Sequence, residues 1–105
     1  MIFDLRIYTL NPGKQNAWLA MYEKHAYPVQ LRYLGKPVAF TTTEVGPLNQ
    51  VVHLWAYTDL AERERKRNAM QQDPEWLAYL KMNTEAGYMQ HTENRILRST
   101  SFSPL

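Results

Sequence analysis

The run Val51-Val52-His53-Leu54-Trp55-Ala56-Tyr57 constrains this chain more than any other segment. Its period is that of a strand, and it carries no Lys, Arg, Asp or Glu on either side. A strand with one wet face alternates apolar and polar residues. This one must be covered on both faces. A second strand, residues 2–10, alternates Phe3, Leu5 and Ile7 with Asp4, Arg6 and Tyr8. The fold therefore needs a sheet with helices on one face and a cover for the other.

The remaining punctuation supplies the helices. Asn11-Pro12-Gly13-Lys14 ends the first strand as a turn. Ala17, Trp18, Met21, Tyr22 and His25 recur at helical spacing. Pro28 weakens that helix and biases Tyr27 away from helical geometry, with a short resumption through Val29, Leu31 and Arg32 ended by Gly35 and Pro37. Residues 38–45 read as a strand, and Gly46-Pro47-Leu48-Asn49 joins it to the strand 50–58 as a hairpin. Asp59 and Asp73 are N-caps for two helical pieces within 60–88, the second with Pro74 as its first residue and Trp76, Leu77, Tyr79 and Leu80 as its apolar face. Residues 92–99 form a last strand, and Ser101–Leu105 is an arm. The order βαββαβ predicts an α+β, ferredoxin-like sandwich in one domain, residues 1–105.

On this reading the helices cover Phe3, Leu5, Ile7, Val52, Leu54 and Ala56. The other face carries Arg6, Tyr8, Val51, His53, Trp55 and Tyr57, joined by Thr42 and Glu44. Each large aromatic covers on the order of 150–250 Å², so this face forms an interface-sized patch. A second copy related by a two-fold axis is the simplest cover, and two such sheets face to face make a dimeric α/β barrel.

Composition excludes several classes. The 45% hydrophobic and 21% charged content is that of an ordinary globular chain. The net charge of +2 argues against nucleic acid. The run Glu62-Arg63-Glu64-Arg65-Lys66-Arg67 mixes signs and reads as a solvated helix face, with Glu62 and Lys66 in the favourable i,i+4 order. The chain contains no cysteine, which removes disulfides, thiolate metal sites and a Cys nucleophile, and fits a cytoplasmic setting. The first residues lack the pattern of a signal peptide, and no segment is long enough for a membrane span.

Motifs for metal, phosphate or nucleophilic chemistry are missing, so no cofactor and no metal are expected. The candidate catalytic residues are His53 and His25 as bases and Arg6 as an anion stabiliser. His25 is placed on the inner side of its helix, before a gap between helix and sheet. Tyr8, His53, Trp55, Tyr57 and Glu44 are the candidate ligand-binding residues. Arg6 and Arg95 are candidates for holding an anion, with Glu44 or Glu93 as alternative ion-pair partners. Each of these also has a structural reading as part of an interface.

Several blocks resemble NIPSNAP domains: Leu5 to Lys14, Thr43 to Tyr57, Leu60 to Arg65, Asp73-Pro74-Glu75-Trp76, and Glu93 to Leu97. The likeness spans nearly the whole chain. It implies a homodimeric α/β barrel that binds a small ligand or serves as an interaction module. The alternative is a more distant resemblance to cofactor-independent monooxygenases, which implies an enzyme acting on a small aromatic or polyketide-like molecule with a His general base. Eukaryotic NIPSNAP proteins are associated with mitochondria and vesicle traffic and carry leaders and duplicated domains. Neither is expected here, so those roles are not carried over. Haem-degrading relatives of the barrel use an Asn on the first strand and a His on a helix, where this first strand has Asp4 and Arg6.

Overall fold

A computed structural model describes residues 1–105. The elements run β1 (Ile2–Leu10), α1 (Gln15–Met21), a π-helical turn (Tyr22–Ala26), α2 (Tyr27–Leu34), β2 (Ala39–Thr42), β3 (Gln50–Tyr57), α3 (Leu60–Met70), α4 (Pro74–Ala86) and β4 (Met89–Arg98). The four strands form one antiparallel sheet in the order β2-β3-β1-β4. This is the expected ferredoxin-like α+β arrangement.

The helix ends follow the chemistry of their caps. The Asp59 carboxylate accepts from the Glu62 N–H at 2.8 Å, while the Glu62 carboxylate accepts from the Thr58 N–H at 2.6 Å. Those bonds satisfy N–H groups that no helical carbonyl can reach. Asp73 caps α4 through the Glu75 N–H at 2.8 Å. It also accepts from the Tyr33 hydroxyl at 2.9 Å and from Arg32 at 3.2 Å, which ties the end of α2 to the start of α4. Gly87 ends α4 at φ +66°, the left-handed geometry that suits glycine.

Pro28 does not break the first helix. Tyr27 stays helical at φ −58°, ψ −44°, and α1, the π turn and α2 run without interruption. A proline ring clashes with the carbonyl four residues back and offers it no N–H. Here the helix widens, so that the Tyr27 N–H bonds the Tyr22 carbonyl five residues back. The inserted residue shifts the helical phase. Tyr22, Ala26, Val29 and Gln30 turn inward, and His25 moves to a half-buried flank.

The expected sheet faces are reversed. Val51, His53, Trp55 and Tyr57 are buried, whereas Val52, Leu54 and Ala56 are only half covered. Register puts Asp4 opposite Trp55, Arg6 opposite His53 and Tyr8 opposite Val51, and all of these face the helices. Trp18 of α1 meets Tyr8 edge-on at 5.7 Å, and Tyr22 lies 4.9 Å from Phe40. The reason is volume. α3 contributes only Met70 to the core, so large side chains from the sheet must fill the layer beneath it. The face without helices holds Phe3, Leu5 and Ile7 beside Val52, Leu54 and Ala56, with Leu97 on β4. It is still apolar, with a different set of residues. Two smaller differences concern edges: β2 spans four residues, with bends rather than a tight turn before β3, and β4 begins at Met89.

Candidate functional site

A cavity of about 240 Å³ lies between the sheet and the helices. β1 sends Arg6 and Tyr8 into it, the π turn Tyr22, α2 Gln30, α3 Arg67 and α4 Tyr79 and Asn83. The reversed sheet turns Arg6 and Tyr8 inward and the widened helix Tyr22 and Gln30, while α3 and α4 supply the facing walls.

Arg6 is fixed from two sides. It donates to the Asp4 carboxylate from Nη1 at 3.1 Å and to the Tyr8 hydroxyl oxygen from Nε at 3.0 Å. Asp4 itself is fully buried. Its Oδ2 also accepts from Arg63 Nε at 3.1 Å, and its Oδ1 from Asn94 at 3.1 Å. Burial alone would raise its pKa. The Arg6 charge and the bonds from Asn94 and Arg63 outweigh that and hold the carboxyl below its ordinary range. Burial also works against the Arg6 charge, but the Tyr8 oxygen and Asp4 overcome it.

Behind this wall His53 sits in an aromatic box, 4.5 Å from the Phe40 ring and 4.7 Å from Tyr8. Its Nδ1 accepts from the Trp55 indole N–H at 2.7 Å. In the neutral ring the proton is therefore on Nε2, which has no partner. Burial first, and Arg6 second, push the His53 pKa down to about 3. The ring is neutral at pH 7 and keeps no free lone pair for proton abstraction. The Tyr57 hydroxyl is also buried without a hydrogen-bond partner, and burial raises its pKa against the opposing Arg67 charge.

The expected site residues thus separate. Arg6 and Tyr8 line the cavity. His53, Trp55 and Tyr57 lie on the same sheet face but are packed into the core behind it, covered by helices and not by a second chain. His25 is on the flank of the π turn, away from the cavity, and Glu44 is exposed in the β2–β3 connection. Arg95 pairs with Leu5 in the sheet and so lies on the face opposite Arg6. Arg6 pairs with Asp4, not with Glu44 or Glu93. No group of three or more His, Asp or Glu side chains is placed to hold a metal ion.

Sequence reasoning missed Arg67, Gln30, Asn83 and Tyr79. For Arg67 a signal existed. Met70 is the only residue of α3 that is fully buried, and Arg63 and Arg67 lie seven and three residues before it, on the same helix stripe. The charge run is exposed at Glu64 and Arg65, while Glu62 and Lys66 are half-covered and form an ion pair. Its Arg63–Arg67 side faces inward. Gln30 and Asn83 had no comparable signal. Gln30 accepts from the Tyr22 hydroxyl, and Asn83 from the Trp18 indole N–H at 3.2 Å, pairings that only the packed helices create.

Comparison with known proteins agrees with the fold. The NIPSNAP family model matches residues 3–104. NipSnap homolog 2 of Danio rerio is 35% identical over 104 residues, covering 99% of this chain and 35% of that protein. The chain spans about a third of the length of the curated relatives it matches. A NIPSNAP-like domain protein of Burkholderia xenovorans has a TM-score of 0.89 at 38% identity, covering 99% of this chain and 89% of that one. A Nitrosomonas europaea protein of the antibiotic biosynthesis monooxygenase type has a TM-score of 0.65 at 14% identity, covering 94% and 98%, a likeness of fold alone. A family match over nearly the whole length, together with relatives above 30% identity, means that this chain belongs to the NIPSNAP family.

Proposed function

We propose that this chain is a homodimeric ligand-binding domain whose inner cavity takes a small organic molecule. The observation that carries this is the cavity itself. It joins aromatic walls from Tyr8, Tyr22 and Tyr79 to polar ends from Arg6, Arg67 and Asn83, the mixture that orients small ligands. Support for the dimer comes from the open sheet face. Leu5, Ile7, Val52, Leu54 and Ala56 form a half-exposed apolar surface beside the buried Phe3, with charge confined to β4, and a second sheet of the same kind complements it. A cytoplasmic location belongs to the same proposal, and cell fractionation tests it. No helix is long and apolar enough to cross a membrane.

The monooxygenase alternative asks for a histidine base at the cavity. His53 holds its acceptor nitrogen against Trp55, and His25 lies outside, so the arrangement favours binding over that chemistry. The test is a ligand-observed NMR screen of small organic molecules against the wild type and Leu80→Trp. Leu80 lies at the cavity and is partly exposed, so an indole there fills the space without disturbing the core. Wild type binds members of the screen and the variant, equally folded by circular dichroism, does not. Equal binding by both proteins refutes the cavity as the site.

A further inference from the structure

We infer that the cavity takes a small aromatic carboxylate, its anionic end between Arg67 and Arg6 and its flat body against the tyrosines. This rests on the binding reading above and adds the chemistry of the ligand.

The charges around the cavity are one-sided. Arg6 and Arg67 line it, and no Asp or Glu does. The one buried carboxylate nearby, Asp4, is already shared between Arg6 and Arg63, both on Oδ2. Three guanidinium groups therefore have one acid among them. Arg67 has no ion-pair partner at all, while its neighbour Lys66 is paired with Glu62. A cation held in a half-covered wall without a counter-charge favours an anion from outside. His53 responds to the same field, since Arg6 and Arg67 both oppose its protonation.

The walls define the rest of the ligand. Tyr8, Tyr22 and Tyr79 offer ring faces and edges, which suit a planar apolar body. The volume lies below the roughly 300–1,000 Å³ of drug-sized sites, which points to a single ring with short substituents. A guanidinium fork matches a carboxylate in shape as well as charge. Inorganic phosphate fits less well, because it leaves the apolar ring faces of Tyr8, Tyr22 and Tyr79 without a partner.

The test uses the full chain and four probes: benzoate, neutral benzamide, cationic benzamidine and inorganic phosphate. Binding is read by tryptophan fluorescence, since Trp76 lines the cavity, and by calorimetry at low salt. Benzoate is expected to bind at least tenfold more tightly than benzamide, with benzamidine and phosphate weaker than either. Arg67→Gln removes most of the preference for benzoate over benzamide. Arg67→Lys keeps the charge without the fork and gives an intermediate loss, so the test survives if one variant folds poorly. Equal affinity for benzoate and benzamide, or benzoate binding untouched in both variants, overturns the anion assignment but leaves the cavity as a binding site. So does a screen in which only neutral or cationic molecules bind. Failure of every small molecule to bind overturns the binding reading together with this one.

Discussion

Asp4 is a fully buried carboxylate whose charge the structure makes costly to lose. Asp4→Asn keeps the shape of the side chain and removes its charge. Arg6 and Arg63 then face each other across a neutral amide, with Asp4 fully buried and the two guanidinium groups mostly covered. Breaking a buried ion pair from one side typically costs about 3–5 kcal/mol. Both arginines keep some contact with water, and Asn can still accept one bond, which sets the expectation at the lower end, about 3 kcal/mol. For a domain of this size that lowers Tm by roughly 12–20 °C. Urea unfolding at pH 7 and fixed protomer concentration measures it, because dimerisation would otherwise shift the midpoint. pH supplies the sign. The folded-state pKa of Asp4 lies below its ordinary value of 3.8, so the carboxylate's contribution is full above that value and is lost as pH falls through the folded one. The gap between wild type and variant should be constant near neutrality and close below pH 3.8. A loss within about 0.5 kcal/mol at pH 7, the range of an ordinary surface change, refutes the argument.

Three further outcomes follow from other parts of the molecule. His53 should keep its Nε2–H tautomer and show no NMR titration between pH 8 and about pH 4, because its pKa is about 3; protonation of the unfolded chain then lowers stability as pH falls from 6.5, and a midpoint near neutrality would contradict the buried hydrogen bond to Trp55. Leu54→Glu puts a charge in the middle of the open sheet face, opposite Leu5 and Ala39, and light scattering should show 12.4 kDa where the wild type shows twice that mass; an unchanged mass would refute this face as a contact between copies. Gly87→Ala should cost about 1 kcal/mol in urea unfolding through its positive φ, since a Cβ there meets nothing within 4 Å; a neutral change would mean that the α4 terminus relaxes.

Much of the framework was legible along the chain. Asp59 and Asp73 announce their helices because a short carboxylate before a helical run has N–H groups to accept from. β1 announces itself by alternation and β3 by an uncharged apolar and aromatic run after a turn, and two such strands with intervening helices leave few topologies. Of the residues that line the cavity, Arg6 and Tyr8 were legible together because they share a strand face with the aromatic set. Glu44 and His25 were misplaced. Glu44 belongs to a connection whose path no period constrains. His25 depends on a one-residue phase shift that Pro28 causes only if the helix continues past it, and its continuation is secured by the core contacts of Val29 and Leu34 on the far side.

The residues by themselves determined that both sheet faces carry large apolar side chains and that the elements run in the order βαββαβ. They also supplied the aromatic face, Tyr8, Val51, His53, Trp55 and Tyr57, as a set. Only the tertiary structure decided which face the helices cover. Period two is symmetric: it sorts side chains into two groups and says nothing about which group is inside when both are apolar. The choice fell to volume, since α3 brings little more than Met70 and the sheet must fill the gap with Trp55 and Tyr57. That same choice turned Asp4 and Arg6 inward, where Arg63 and Arg67 meet them, and so placed the charged end of the cavity inside the protomer.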